Sequence, residues 1–337
     1  MKIVDKIYNV NNEIWDISKN VIINKDRSLV NLSTKKVLPY DDNIKRCFYS
    51  NNFLFLLRDK EISILDENLN LLKQINQNAA VGMSIFDKDN YAVWFENEEE
   101  DEYFDLYVNA ELIGKGDFFY GKFLNKHYSY RLKGRKDFQY FRLTDLLDTK
   151  TYFEFKCELG YELVSDFYMW QETLVFMYFK DSDLKLEQRD IKTGSVIWKT
   201  DIKDSSFVFD DTRGLMVSIW GNSSRYPESE DNYQIIDIEK QTVEIGTPQK
   251  NFDFINVESH MGSALYKNKL YFSEHPFSYV NEEPKPVYVG CFDIETKKVD
   301  FLQAIPEMAG SQIAQIVCND EKLYVRSSNG DLIVYEI

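Results

Sequence analysis

Apolar and polar residues alternate at period two through most of this chain. In 184–202, LKLEQRDIKTGSVIWKTDI, an alternating run leads into Asp-Ile-Lys-Thr-Gly and comes out as Val-Ile-Trp-Lys-Thr. Such alternation marks half-buried strands. Asp at the head of a turn can bond its own backbone two residues on, and Gly takes positive φ without strain. The pattern therefore predicts two strands joined by a tight turn. It makes Asp190, Asp237 and Asp293, which open D-I-K-T-G, D-I-E-K-Q and D-I-E-T-K, turn formers first.

Weaker copies recur at 20–38, 53–72, 215–245, 269–302 and 322–337. Each reads as an apolar strand, a turn, an alternating strand, a short polar turn and a third strand, with a further strand ahead. The units run 13–42, 43–78, 79–117, 118–160, 161–204, 205–250, 251–307 and 308–337. In the fifth, the strands fall at 163–170, 173–180, 184–191 and 195–202. The last holds only three, IAQIVCND, KLYVRSS and DLIVYEI, and the N-terminal MKIVDKI can supply its fourth. Repeats of about 40 residues with four strands each indicate a β-propeller. The expected fold is all-β, one closed propeller over 1–337. Eight four-stranded blades are expected, with seven as the alternative, and the N-terminal strand completes the last.

The stretch Leu184–Ile202 also resembles the blade repeat of PQQ-type and WD40-like propellers, a strand followed by D-x-x-T-G and then a tryptophan. The tryptophan stands only at Trp198; the corresponding positions near Glu244 and Asp300 lack it. The resemblance implies the fold. The acidic calcium ligands and adjacent-cysteine pair of quinoprotein dehydrogenases are missing, so no cofactor is expected.

Composition narrows the function. The chain has 24 Phe, 22 Tyr and 5 Trp against 14 Gly and 7 Pro, which favours pleated surfaces. Its formal net charge is −16. A nucleic-acid binder needs a basic stripe, and the run Lys133-Gly134-Arg135-Lys136 stands isolated, so no nucleic-acid partner is expected. Acidity of this size suits solubility or a basic partner. Cys47, Cys157, Cys291 and Cys318 are far apart, as in free thiols of a reducing compartment. No apolar leader and no run of 18 apolar residues is present, so the expectation is a cytoplasmic monomer without membrane contact.

Catalytic signatures are sparse. Histidine occurs only as His127, His260 and His275; Glu258 and His260 would share a strand face, but their spacing matches no metal motif. No nucleophile elbow or phosphate loop appears, so neither a catalytic residue nor a metal is expected. The alternative is a propeller hydrolase or lyase acting on glycans at the central funnel, where Asp16, Asp87, Asp166 and Asp210 would be inspected first.

The loops between second and third strands depart most from the repeat. Five stand out, at 96–102, 133–137, 180–183, 221–232 and 274–286, and together they carry a net −9. Aromatic residues are interleaved, with Trp94 before the first. Crowded like charge is costly, and aromatic anchors within a polar rim fit an interface. In this reading Glu98, Glu99, Glu100, Asp101 and Glu102 steer a partner, and Trp220, Tyr226, Phe277 and Tyr279 anchor it. Arg225 pairs with nearby acids or reaches across to a carboxylate. Glu228, Glu230, Asp231, Glu282 and Glu283 complete the acidic face. The expected function is non-catalytic binding of a basic protein. In general character the chain resembles bacterial immunity proteins that neutralise a toxin.

Overall fold

The computed structural model describes residues 1–8, 21–23, 28–39, 42–50, 53–77, 80–96, 102–116, 122–124, 128–135, 138–146, 150–157, 161–164, 167–180, 183–221, 232–249, 257–258, 262–274, 285–319 and 321–337. They are almost entirely strand, and the chain groups into two compact units, 16–201 and 1–15 with 202–337.

In the 16–201 unit, successive antiparallel sheets follow chain order. The sheet of Ile44–Ser50, Phe53–Arg58, Glu61–Leu65 and Leu71–Asn76 is representative. Its two middle strands are buried on both faces because neighbouring sheets cover them. Phe55, Leu57, Ile62 and Ile64 pack on Ala80, Met83, Tyr91 and Val93 of the next sheet. The stretch 184–202 forms Asp183–Asp190 and Val196–Asp201, paired behind Thr173–Lys180. Ahead of these, the strand expected at 163–170 is split into Tyr161–Leu163 and Tyr168–Trp170.

In the other unit, Ile313–Asn319, Lys322–Ser327 and Leu332–Glu336 form a sheet whose fourth strand is Lys2–Ile7. The first strand of the chain thus pairs with the last.

The blade count is corrected. Among the described residues, six blades have four strands or more, not eight or seven. Segments 205–250 and 251–307 are not separate sheets. The two-residue strand Val257–Glu258 pairs with Trp220 on one side and with Ser273 and Glu274 on the other, fusing them into nine strands. Among its described residues, segment 13–42 contributes three short strands, Val21–Ile23, Leu29–Asn31 and Val37–Leu38. Alternation marks a strand but does not say which neighbour its edge will pair with.

Two devices recur in the sheets. Five pairs of third and fourth strands skip one residue of the outer strand, leaving Leu72, Ile113, Tyr152, Ile197 and Asp300 without an opposed residue. Such bulges blunt an edge against further pairing. The extra residues Leu72, Ile113 and Ile197 are exposed, as are Leu71, Leu112 and Val196 beside them. The second device sets an aromatic residue directly opposite a glycine: Trp94 on Gly82, Tyr233 on Gly246, Phe272 on Gly290.

Candidate functional site

The two ends of each sheet are built differently. At one end, aspartates close the turns. Asp190 Oδ1 accepts the backbone N–H groups of Lys192 and Thr193, at 2.9 and 2.7 Å, and Gly194 follows at φ 69°. Asp293 receives Glu295 and Thr296 in the same way, and Asp237 receives Lys240. Asp66 takes the N–H groups of Asn68 and Asn70. The Thr193 N–H holds Asp190 below the usual carboxylate range, and the Thr296 N–H does the same for Asp293. These aspartates are turn formers, as their position in the repeat implies.

Asp87 and Asp210 serve similar turns. Asp87 accepts the N–H groups of Asp89 and Asn90, both at 2.8 Å. Asp210 accepts from Thr212 and from Arg213 Nε, the latter at 2.6 Å, and Arg213 Nη1 reaches Asn268 Oδ1 at 2.6 Å. Both carboxylates are thus engaged in turn bonds. Asp16 and Asp166 lie outside the described residues, as do His127, His260 and His275.

The opposite end carries the loops between second and third strands. Two expected loops are tight hairpins instead. Arg135 pairs with Phe138 and Lys180 with Asp183, so only two residues intervene in each. One longer connection, residues 24–28 between the closing pair Ile23↔Leu29, carries a net +1, and three are acidic. The acidic three leave the closing pairs Glu96↔Glu102, Trp220↔Asn232 and Glu274↔Tyr288. Residues 97–101, 221–231 and 275–287 carry net charges of −4, −2 and −1. The first leaves from the backbone pair of Glu96 and Glu102.

Of the expected partner-binding residues, two fall within this description. Glu102 opens the strand Glu102–Val108. Trp220 is half-buried at the end of Leu215–Trp220, its backbone paired with Asn232 on one side and Glu258 on the other. Glu98, Glu99, Glu100, Asp101, Arg225, Tyr226, Glu228, Glu230, Asp231, Phe277, Tyr279, Glu282 and Glu283 lie outside the described residues. Trp94 lies against Gly82 and packs edge-on to Phe104 at 5.6 Å, which is a role inside its own sheet.

Sequence reasoning missed a set of buried polar side chains. Glu274, assigned to a loop, is the last residue of Lys269–Glu274 and has no exposure, so it adds no charge to the loop surface. Ser218, Gln234, Ser273 and Ser327 are equally buried, and Arg326 is 2% exposed. Gln234 Oε1 accepts the Lys203 N–H at 2.8 Å, and Ser327 Oγ accepts that of Asp331 at 3.0 Å. The signal was a single polar letter inside an apolar run, as in Val-Ser-Ile and Tyr-Gln-Ile, whereas Arg326 and Ser327 stand together at the end of one. In the 16–201 unit, buried Glu187 takes Arg189 Nε at 2.5 Å and the Tyr178 hydroxyl at 3.2 Å. Lys199 stands 3.8 Å away and over the Tyr178 ring. A buried carboxylate needs such partners, and this one lies within the stretch that carries the repeat signature.

Among the described residues no group of three or more His, Cys, Asp or Glu is arranged to hold a metal ion. No described helix is long and apolar enough to cross a membrane.

No protein-family model matches the chain, and no curated protein does. Solved structures do. The Dos1 propeller is similar over 99% of this chain and 94% of its own, at 14% identity and a TM-score of 0.57. The computationally designed Ika8 protein matches 99% of this chain and 98% of its own, at 10% identity and a TM-score of 0.53. A eukaryotic initiation factor matches 95% of this chain and 77% of its own, at 12% identity and a TM-score of 0.53. At these identities the likeness shows the fold alone, and that fold is the β-propeller.

Proposed function

We propose that this propeller is a non-catalytic binding protein whose loop ends capture a basic protein. In the specific form of this reading it is a cytoplasmic immunity protein that neutralises a basic toxin. One observation carries it: three acidic excursions, 97–101, 221–231 and 275–287, all join second to third strands, while short turns, many of them organised by an aspartate, shut the other ends of the sheets. Loops on a rigid scaffold are where binding residues concentrate. Acidic loops steer a basic partner during diffusion, and aromatic anchors slow its release.

Reversal of Glu98–Glu102 to lysine tests this. Tagged parent and variant are offered to lysate of the native strain, the captured protein is identified by mass spectrometry, and its association rate is measured. The expected outcome is one basic partner whose association with the variant is slowed strongly at low salt and much less at high salt. An unchanged rate removes the acidic loop from the account.

A further inference from the structure

The strand Lys2–Ile7 differs from the other outer strands in how it is held. Leu71–Asn76, Val196–Asp201 and Thr242–Gly246 each follow their neighbour after a short turn. Lys2–Ile7 instead joins a sheet whose other strands begin more than three hundred residues later, and no hairpin ties it there. Its register runs from Lys2↔Glu336 to Ile7↔Leu332, and a bulge between Ile3 and Asp5 interrupts it. None of its six residues is fully buried. Ile3 packs on the cluster of Val325, Ile333 and Tyr335, Lys6 pairs with Glu307, and Asp5 accepts the Lys6 backbone N–H. The pairing with Glu307 raises the Lys6 pKa and, seen from the other side, lowers that of Glu307.

By contrast, the strand it covers is firmly seated. Leu332, Ile333, Val334 and Tyr335 are at most 3% exposed, and they pair on the other side with Lys322–Ser327. Opening the first strand breaks its ladder with Leu332–Glu336 and the Lys6–Glu307 pair, while the three-stranded remainder keeps its core. Local opening of this kind needs few buried contacts to be lost.

We infer that Lys2–Ile7 is a detachable strap, which opens as a unit of its own while Ile313–Glu336 stays folded, baring the backbone edge of Leu332–Glu336.

Native-state hydrogen exchange on the full chain, read amide by amide at low denaturant, tests the strap. The amides of Lys2–Ile7 are expected to exchange much faster than those of Lys322–Ser327, with a much weaker dependence on denaturant. Lys6→Ala is expected to speed exchange in the strap severalfold and leave Lys322–Ser327 unchanged. Ile3→Asp, which sets a charge on the apolar cluster, is expected to strip protection from the strap while Lys322–Ser327 keeps it. Equal rates and equal denaturant dependence in the two strands would overturn the inference. So would loss of protection across the whole sheet in Ile3→Asp, because the strap would then be part of one cooperative unit.

Discussion

The two ends of the sheets teach opposite lessons. At the aspartate end a single carboxylate organises many of the turns, and the residue that follows in positive φ is often not glycine: Leu69, Gln241 and Lys297 adopt φ of 60°, 55° and 60°. The chain there is specified by hydrogen bonds that a short Asp or Asn side chain supplies well. At the loop end no such code appears, and the excursions vary from two residues to more than ten. Where one end is fixed by the fold, sequence is free to serve something else at the other.

The largest expected effect lies between the two ends and calibrates both. A Cβ at Gly290 would stand 2.2 Å from Cζ of Phe272. The ring lies directly across from it in the ladder and is buried. Gly290→Ala should force the ring and the strand apart and cost about 3 kcal/mol, measured by denaturant midpoint. A cost near zero would mean that these sheets yield easily, and the contrast between their ends would lose its rigid reference.

Next comes the aspartate end itself. Asp210→Ala removes the acceptor of Thr212 and Arg213, and Arg213 also ties this turn to Asn268 and the Lys267 carbonyl. Losing charge-assisted bonds at a partly buried site should cost about 2 kcal/mol. The same measurement on Asp210→Asn, which keeps an acceptor, should give a smaller loss. Equal losses would point to charge rather than turn geometry.

How much of this was legible depends on what each residue has to satisfy. The turn aspartates were readable because one side chain does the whole task at a fixed place in the repeat. The strands were readable because burial follows their period, and so was the pairing of MKIVDKI with the last sheet. The fused sheet was not, since Val257–Glu258 is too short to show alternation and its pairing depends on two distant edges. Lys133–Asp137 and Lys180–Asp183 read as loops because hairpin ends carry polar letters, though the strands run nearly through them. Glu274 and Arg326 were missed as charged letters beside loops that burial has claimed. Of the candidate site, only Trp220 and Glu102 stand on strands whose geometry is fixed here.

A smaller effect follows from pH. Asp190 and Asp293 titrate below their ordinary range because folded N–H groups favour the carboxylate. A carboxylate whose pKa is depressed by folding contributes stability above its unfolded value and loses it as pH falls through the folded one. The denaturant midpoint should therefore be level near neutrality and decline below about pH 4. In the double variant Asp190→Asn, Asp293→Asn the turns keep their acceptors but cannot titrate, so the decline should be shallower. An identical acid profile would place the acid-sensitive groups elsewhere, and the turn end would lose its claim to be the electrostatically organised one.

The smallest effect on stability should come from the end that carries the most charge. Glu98→Ser, Glu99→Ser and Glu100→Ser together delete three like charges from a loop closed by two more acids. Self-repulsion among them favours the unfolded chain, so removing them should leave the midpoint within about 0.5 kcal/mol of the parent, on the stabilising side if it moves at all. The same variant should associate more slowly with a basic partner at low salt. That combination, folding untouched and capture weakened, is what separates a loop kept for binding from a loop kept for structure. A loss of stability as large as that expected for Asp210→Ala would show that these acids hold the hairpin together after all, and the difference between the two ends would collapse.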